Sequence, residues 1–239
     1  METQSHVFQL YDKLLQFPLF QGLGYNDLTQ IVAHTKFDFL KFNPGETIVC
    51  KGTVCDRLYM LTDGLMEMTT VADHEEYAVH EWTEAPATFQ LERLFGLHQQ
   101  FTNQYTATSP CSFITIDKHE LMRLTETFVV FRMNLMNVLT THIQKFHDQQ
   151  WATAPLSLDD RIKRFFTSHC LIPFGAKRFD ILMKRLSNEM NDSRLDTSQA
   201  LNRLQHLGLL TLSRGRIEIP KIECLATPTG KADTQSETA

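Results

Sequence analysis

Residues Lys184–Pro220 read KRLSNEMNDSRLDTSQALNRLQHLGLLTLSRGRIEIP, and this stretch determines how the C-terminal part of the chain folds. Leu186 and Met190 are about one helical turn apart, and a short polar segment follows them. Ser193 with Asp196 three residues later is the pattern of a helix N-cap. The stretch therefore predicts a short helix, a turn and a second helix.

The second predicted helix has two different faces. Small and apolar residues at helical spacing predict a buried stripe, formed by Thr197, Ala200, Leu201, Leu204 and Leu207. The opposite face presents Arg194, Leu195, Ser198, Gln199 and Asn202, with Arg203 beside them. Its donors and acceptors suit the phosphates and base edges of DNA.

A β-hairpin is predicted after this helix. Gly208 ends the helix, and apolar residues alternate with polar ones on both sides of Ser213–Gly215. Arg214 and Arg216 lie where the hairpin could touch a phosphate backbone. The layout is that of a winged helix-turn-helix. On these residues alone, a generic helical hairpin with a solvated polar face is the alternative.

Charge is distributed unevenly along the chain. The 239 residues carry a formal net charge of −5, which by itself argues against a nucleic-acid-binding protein. Residues 156–221, however, contain twelve Lys and Arg against seven Asp and Glu, a net +5, so the remainder carries −10. An acidic N-terminal part and a basic C-terminal part fit a regulatory domain joined to a domain that binds a polyanion.

The five cysteines are scattered and odd in number, so they show neither a disulfide framework nor paired CxxC zinc spacing. We expect Cys50 and Cys55 to be buried thiols. The sequence has no N-terminal apolar signal region and no long uncharged apolar run. These features predict a cytoplasmic protein without a membrane segment or a metal site.

Short strand-like pieces separated by Gly and Pro turns begin at Phe37. They cover residues 37–40, 47–50, 58–61, 66–71 and 77–82. Several short strands at close spacing predict a small barrel or jelly roll. Helical patterns precede this β region.

The runs Phe42–Ile48 (FNPGETI) and Asp56–Gly64 (DRLYMLTDG), with Lys51 and Gly52 between them, resemble the first half of a cyclic-nucleotide-binding β-roll. Together with the helix-turn-helix pattern behind them, they make the chain similar to the cyclic AMP receptor protein/FNR family of bacterial transcription regulators, and most like its Bacteroidetes members. The resemblance covers residues 15–222.

This resemblance implies an α+β fold with an N-terminal β-roll (jelly roll), a long dimerisation helix and a C-terminal winged helix-turn-helix. The domains are expected at residues 1–117, 118–152 and 153–224, with a disordered tail at 225–239. The implied function is a homodimer that binds a palindromic operator in double-stranded DNA under control of an effector in the β-roll. RNA polymerase is an expected partner if the protein activates transcription.

The central helix can be predicted from the residues themselves. Lys118 to Gln150 contain no Gly or Pro. Apolar and aromatic residues recur there at three- and four-residue spacing and predict a dimer interface, formed by Phe128, Phe131, Leu135, Val138, Leu139, His142 and Phe146. We expect Met136 and Ile143 to pack against the chain's own β-roll. The alternative is that the predicted interface is an intramolecular core.

A hinge and a further helix are predicted after the central helix. Residues 152–155 are expected to form a hinge, and Ser157 is expected to cap a helix over Leu158–Cys170. The core of the C-terminal domain would include Ile162, Phe165 and Phe166.

The effector region departs from the family pattern. Members that bind cyclic AMP use a Gly-Glu-Leu segment at the start of a short helix and an Arg-Ser-Ala segment about ten residues later. Gln90 and Phe101 stand at the Gly-Glu pair and at the arginine. Without a charge partner for the phosphate, we expect no tight cyclic AMP binding, although Arg93 could substitute. The candidate pocket residues are Phe89, Gln90, Leu91, Arg93, Leu94, Phe101, Thr102 and Asn103.

The effector itself is not identified by the sequence. An apolar ligand cavity that includes Leu97, or a plain core that fills an emptied pocket, would both fit these residues. No cysteine cluster precedes Cys50, so we do not expect an iron–sulfur cluster. Haem is not expected either, although possible axial ligands exist at His74, His80, His98 and Cys55.

The resemblance assigns roles on the DNA-reading face. Arg194 would read guanine and Gln199 adenine. Backbone and supporting contacts fall to Ser193, Asp196 and Ser198, and phosphate contacts to Arg203, Arg214 and Arg216. Leu195 and Gln199 stand where the cyclic AMP receptor protein has glutamate and arginine, so the operator should differ.

Two other classes of protein are alternatives. A cupin-like enzyme would need clustered metal ligands, but His74 and His80 lack HxH spacing, and the chain has no phosphate loop or nucleophile elbow. We therefore do not expect catalytic residues. The alternative function is a sensory or interaction module with cupin-like ligand or metal binding and no DNA binding.

Overall fold

The computed structural model describes residues 10–150 and 155–226, which form two compact units. The first unit contains the described residues through Thr70 and those from Trp82 to Gln150. The second contains Val71–Glu81 and the described residues from Pro155 onwards. Both units combine helices with antiparallel strands, so the fold class is α+β.

Eleven strands lie in the described residues. They are β1 (Asp38–Phe42), β2 (Thr47–Val49), β3 (Arg57–Asp63), β4 (Leu65–Val71), β5 (Tyr77–Glu84), β6 (Ala87–Thr88), β7 (Gln104–Ala107), β8 (Cys111–Asp117), β9 (Lys177–Ile181), β10 (Thr211–Ser213) and β11 (Arg216–Ile219). The first five confirm the strands predicted between residues 37 and 82.

The first unit contains two antiparallel sheets, in the orders β1-β8-β3-β6 and β4-β7-β2. The turn from β3 to β4 requires glycine at position 64. Gly64 has φ of 101°, and a Cβ added there would lie 2.4 Å from the carbonyl oxygen of Pro110. A side chain would therefore collide with the backbone that closes this end of the β region.

The first unit contains the helices α1 (Tyr25–His34), α2 (Lys118–Thr127) and α3 (Val129–Gln150), and the described residues 10–15 are also helical. Asp117 caps α2, since its carboxylate accepts a hydrogen bond of 2.8 Å from the amide of Glu120. The prediction of one helix from Lys118 was wrong, because Phe128 has extended φ and ψ angles and separates α2 from α3. Phe128 is therefore not part of the long helix.

The buried face of α3 packs on its own chain. The rings of Phe131 and Phe20 are 5.3 Å apart, and the Asn134 amide donates to the carbonyls of Leu19 at 3.2 Å and Gln21 at 2.7 Å. Phe131 and Leu135 are buried, as is Phe128 just before the helix. These three residues cannot meet a partner subunit, so their assignment to a dimer interface was wrong.

The opposite face of α3 is exposed. Met136 is 51% exposed and Ile143 is 66% exposed, so the prediction that they pack against the β-roll was also wrong. Val138 and Leu139 are half-buried and His142 is exposed. The side chain of Phe146 lies outside the described part of the structure.

The second unit contains α4 (Leu158–Ser168), α5 (Met183–Met190) and α6 (Arg194–His206) beside a sheet in the order β10-β11-β9-β5. Ser157 caps α4 by accepting a hydrogen bond of 3.1 Å from the amide of Asp160. The predicted core residues Ile162, Phe165 and Phe166 are buried in one cluster with residues of α5, α6 and β11.

Val71–Glu81 belongs to the second unit, whereas the sequence analysis placed it in the N-terminal domain. Tyr77 pairs with Ile181 and Glu81 pairs with Lys177 in an antiparallel ladder. Val79, between them, is buried in the core of this unit. The alternation that predicts a strand at 77–82 cannot show which sheet receives it.

Within residues 10–150 and 155–226, none of the helices has both the length and the apolar character needed to cross a bilayer. Residues 152–154 of the predicted hinge and residues 227–239 of the predicted tail lie outside the described residues.

Candidate nucleic-acid interface and effector region

The start of α6 is fixed by hydrogen bonds in the preceding turn. The Ser193 hydroxyl accepts from the amide of Asp196 at 3.1 Å and donates to the carboxylate of Asp196 at 2.6 Å. The Arg161 guanidinium donates to the carbonyl of Met190 at 2.9 Å and to the carboxylate of Asp192 at 2.7 Å. The predicted N-cap is thus confirmed, and the turn between α5 and α6 is tied to α4.

The two faces of α6 follow the predicted pattern except at one residue. Thr197, Ala200, Leu201 and Leu204 have no exposed surface. Leu207 was wrongly placed in this stripe and is 70% exposed. It is the C-cap residue, and the chain leaves the helix at Gly208, where φ is 71°.

The outward face of α6 is open to solvent. Exposed or half-buried side chains cover it: Arg194, Leu195, Ser198, Gln199, Asn202 and Arg203. The hairpin of β10 and β11 follows, with Ser213 paired to Arg216 and a positive φ of 72° at Gly215. Arg214 is exposed at its tip.

The four arginines of this surface are not equally available. In the described part of the chain, Arg194 and Arg214 are exposed and make no hydrogen bond or ion pair. Arg203 forms two hydrogen bonds with the Asp159 carboxylate, its Nε lying 3.1 Å from Oδ2. These bonds raise the pKa of Arg203 above its usual value.

Arg216 is also engaged. Its Nε lies 3.4 Å from the carboxylate of Asp180, and its guanidinium is 4.0 Å from that of Glu218. Neither Asp159 nor Asp180 was predicted from the sequence as a partner of these arginines. Both carboxylates are distant in sequence from the arginines they bind, so no local spacing pointed to them.

The predicted effector region is filled by aromatic rings. Phe89 and Tyr105 stack with centroids 3.9 Å apart, and Tyr59 lies 5.4 Å from Phe89. Phe101 and Phe113 contact the same cluster. Tyr59, Tyr105 and Phe113 were missed from the sequence because they lie on separate strands.

Hydrogen bonds connect the two segments of this region. The Gln90 amide donates to the Thr102 hydroxyl at 2.6 Å and accepts from the Thr102 backbone amide at 3.0 Å. The buried Asn103 amide donates to the sulfur of Met68 at 3.2 Å. The candidate residues Gln90, Thr102 and Asn103 are therefore brought together and bonded within the protein.

The remaining candidates are apolar, with one exception. Leu91 and Leu94 are buried, but Leu97 is 96% exposed, so its predicted place in an apolar cavity was wrong. Arg93 is half-buried, and its Nε finds no hydrogen-bond acceptor among the described residues. The predicted effector region is therefore an aromatic core, and Arg93 is the cationic side chain among its candidate residues.

The residues considered as haem ligands lie in different surroundings. The His80 Nε2 is 3.1 Å from the Asp180 carboxylate. His74 and His98 are exposed, and Cys55 is buried. Burial raises the pKa of Cys55 to about 11, and nearby Asp56 and Glu92 add to this effect. Among the described residues, no three His, Cys, Asp or Glu side chains form a group that could hold a metal ion.

Residues 39–128 match the sequence profile of the cyclic nucleotide-binding domain. Two potassium channels of Arabidopsis thaliana are also similar. GORK is 24% identical over 168 residues and SKOR is 28% identical over 123 residues, which is 70% and 51% of this chain. The chain spans only 18% and 14% of the length of these channels.

Two solved structures share the fold. The catabolite activator protein of Thermus thermophilus has a TM-score of 0.50 and 17% identity, and the match covers 88% of this chain and 97% of that one. The sensor domain of the transcriptional regulator DNR from Pseudomonas aeruginosa has a TM-score of 0.52 and 17% identity, covering 64% and 98%. The chain thus contains a cyclic nucleotide-binding domain and is structurally similar to cyclic AMP receptor protein/FNR regulators.

Proposed function

We propose that the chain is a DNA-binding transcriptional regulator of the cyclic AMP receptor protein/FNR type, in which α5, α6 and the β10–β11 hairpin form a winged helix-turn-helix. The observation that supports this proposal is the exposed polar face of α6. Its buried stripe fixes the helix on the core, and the opposite face presents Arg194, Gln199 and Asn202 without partners in the described residues. Such side chains can bind base edges in the major groove.

The arginines divide into two groups by their contacts. Arg194, in the first turn of α6, is free to bind guanine, and Arg214 is free to bind phosphate. Arg203 and Arg216 are paired with Asp159 and Asp180, so these carboxylates offset part of their attraction for phosphate. Ser193 and Asp196 act through the helix cap, which orients Arg194.

The protein acts as a homodimer through the exposed face of α3 rather than its buried face. Val129, Met133, Met136, Thr140 and Ile143 are exposed at alternating spacings of four and three residues. This spacing is the heptad pattern that forms a seam between two helices. Two copies related by a dyad would place two α6 helices on the half-sites of a palindromic operator.

The effector is not cyclic AMP. A cyclic nucleotide needs space for its base and a cation for its phosphate, and here aromatic rings fill the region while Phe101 replaces the arginine. Titration calorimetry with cyclic AMP should show no binding at low-micromolar concentration. Binding in that range, lost in Arg93→Ala, would show that Arg93 supplies the missing charge.

The DNA-binding proposal is tested by in vitro selection from random duplexes, followed by gel shifts of the enriched sequence. We expect enrichment of a palindrome, with and without fractions of cell extract that could supply an effector. Arg194→Ala should lose the preference for one base pair. Failure to enrich any sequence in either condition would favour a sensory module without DNA binding.

A further inference from the structure

Leu195 is an exposed apolar residue at the centre of the polar face of α6. Its side chain is 67% exposed, whereas Ala200, Leu201 and Leu204 of the same helix have no exposed surface. At 3.6 residues per turn, Leu195 precedes Leu204 by about two and a half turns and therefore points away from the core. It is therefore open to a partner that binds this face of the helix.

The surroundings of Leu195 on the helix are polar. Ser198, Gln199 and Asn202 follow at three, four and seven residues and form one ridge with it. Arg194 and Arg203 lie on the two borders of this ridge, about a quarter turn from Leu195 on each side. Ser193 and Asp196 fix the backbone here by capping the helix.

Most atoms on the floor of the major groove are hydrogen-bond donors or acceptors, but thymine adds an apolar 5-methyl group. The first turn of a recognition helix is the part that contacts base edges. We propose that Leu195 packs on the methyl group of one thymine in each half-site and so selects thymine at that position. This inference rests on the proposed DNA-binding function and identifies a further specificity-determining residue.

The test removes the methyl group alone. Each thymine of the selected operator is replaced in turn by deoxyuridine, which keeps the hydrogen-bonding groups of the base. For the wild-type full chain, we expect an affinity loss of about three- to fivefold at one symmetry-related position, as for removal of one buried methyl group. Replacements elsewhere should have no effect.

Variants connect this loss to the side chain. Leu195→Ala should bind the thymine and deoxyuridine operators equally well. Leu207→Ala removes another exposed leucine, at the C-cap of the same helix, and should keep the full difference. Leu195→Gln places a polar side chain at the same exposed position and should also abolish the difference between the thymine and deoxyuridine operators. Unchanged thermal unfolding of each variant would show that the fold is intact.

The outcomes separate the two proposals. If no duplex is selected, the proposed function and this inference are both wrong. If a specific operator is selected but no deoxyuridine replacement weakens binding, the inference alone is wrong. The same holds if Leu195→Ala retains the deoxyuridine effect.

Discussion

The carboxylate of Glu81 lies 3.3 Å from the ammonium nitrogen of Lys177, and neither side chain has any exposed surface. Glu81 also accepts hydrogen bonds of 2.9 Å from the backbone amides of Leu171 and Ile172. One carboxylate therefore joins β5, β9 and the loop after α4. A buried charge is tolerated in this way only when its partners satisfy it.

Removal of either charge should destabilise the second unit. We expect Lys177→Met to cost about 3–5 kcal/mol, because it leaves the carboxylate buried without its counterion. Glu81→Leu should cost at least as much, since it also leaves two backbone amides without an acceptor. Urea unfolding monitored by circular dichroism measures the free energy of unfolding of both variants.

As a control, Glu120→Gln in the more exposed pair with Arg123 should cost less than about 1 kcal/mol. Equal small effects in all three variants would contradict the role assigned to the buried pair.

Arg194 and Arg214 should differ in how they affect DNA binding. Arg194→Ala is expected to cost about 1–3 kcal/mol at the selected operator and to relax the preference at one base pair. Arg214→Ala should weaken all sequences alike and lower the salt dependence, because it removes a phosphate contact. Gel shifts on the operator, single-base variants and a random duplex distinguish the two. Uniform losses for both variants would contradict the division of roles.

The ion pair between Asp159 and Arg203 should restrain DNA binding. Asp159→Asn releases the Arg203 guanidinium, so binding to any duplex should become tighter and the salt slope should increase by about 1. The change also removes a negative charge, and a double-mutant cycle separates the two effects. If Arg203 is the cause, Asp159→Asn should give no gain in an Arg203→Ala background. A full gain there would mean that net charge alone is responsible.

The exposed stripe of α3 should hold the dimer together. Met136→Glu combined with Ile143→Glu should give a folded monomer, because like charges would face each other across the seam. Sedimentation velocity measures the change in mass. Thr141→Glu introduces the same charge at an exposed position outside the stripe and should remain dimeric. A dimeric double variant would show that subunits associate elsewhere.

The five cysteines should differ in their reactivity. Cys50 and Cys224 are exposed, whereas Cys55, Cys111 and Cys170 are buried and free. Burial raises the pKa of Cys170 to about 12, so its reactive thiolate is scarce at pH 8. A thiol reagent should label two cysteines quickly in the native protein and all five in denaturant. Rapid labelling of Cys170 in the native protein would contradict its burial.

Features that depend on local spacing could be predicted from the sequence. The cap at Ser193, the buried stripe from Thr197 to Leu204 and the first five strands each follow from neighbouring residues. Cys50, which directly follows β2, is exposed, so its predicted burial was wrong. Leu207, at the C-terminal end of α6, is likewise exposed where burial was predicted.

The choice between the two faces of α3 needed tertiary information. Phe131 and Leu135 form one apolar stripe and Met136 and Ile143 another, so periodicity alone cannot identify the one that packs on the chain's own core. The 3-10 helix at Pro18–Phe20 decides this, because Phe20 packs against Phe131. The partners of Arg203 and Lys177, which are Asp159 and Glu81, could not be predicted either, because they too are brought close only by the tertiary fold.

The pairing of Tyr77–Glu81 with β9 has a consequence for protein engineering. A chimaera that exchanges the C-terminal part at residue 155 would separate Lys177 from its counterion and remove Val79 from the core. It would also leave the backbone groups of β9 open to pairing with another chain. Val71–Glu81 must therefore be transplanted together with residues 155–226 if the grafted second unit is to remain folded and free of aggregation.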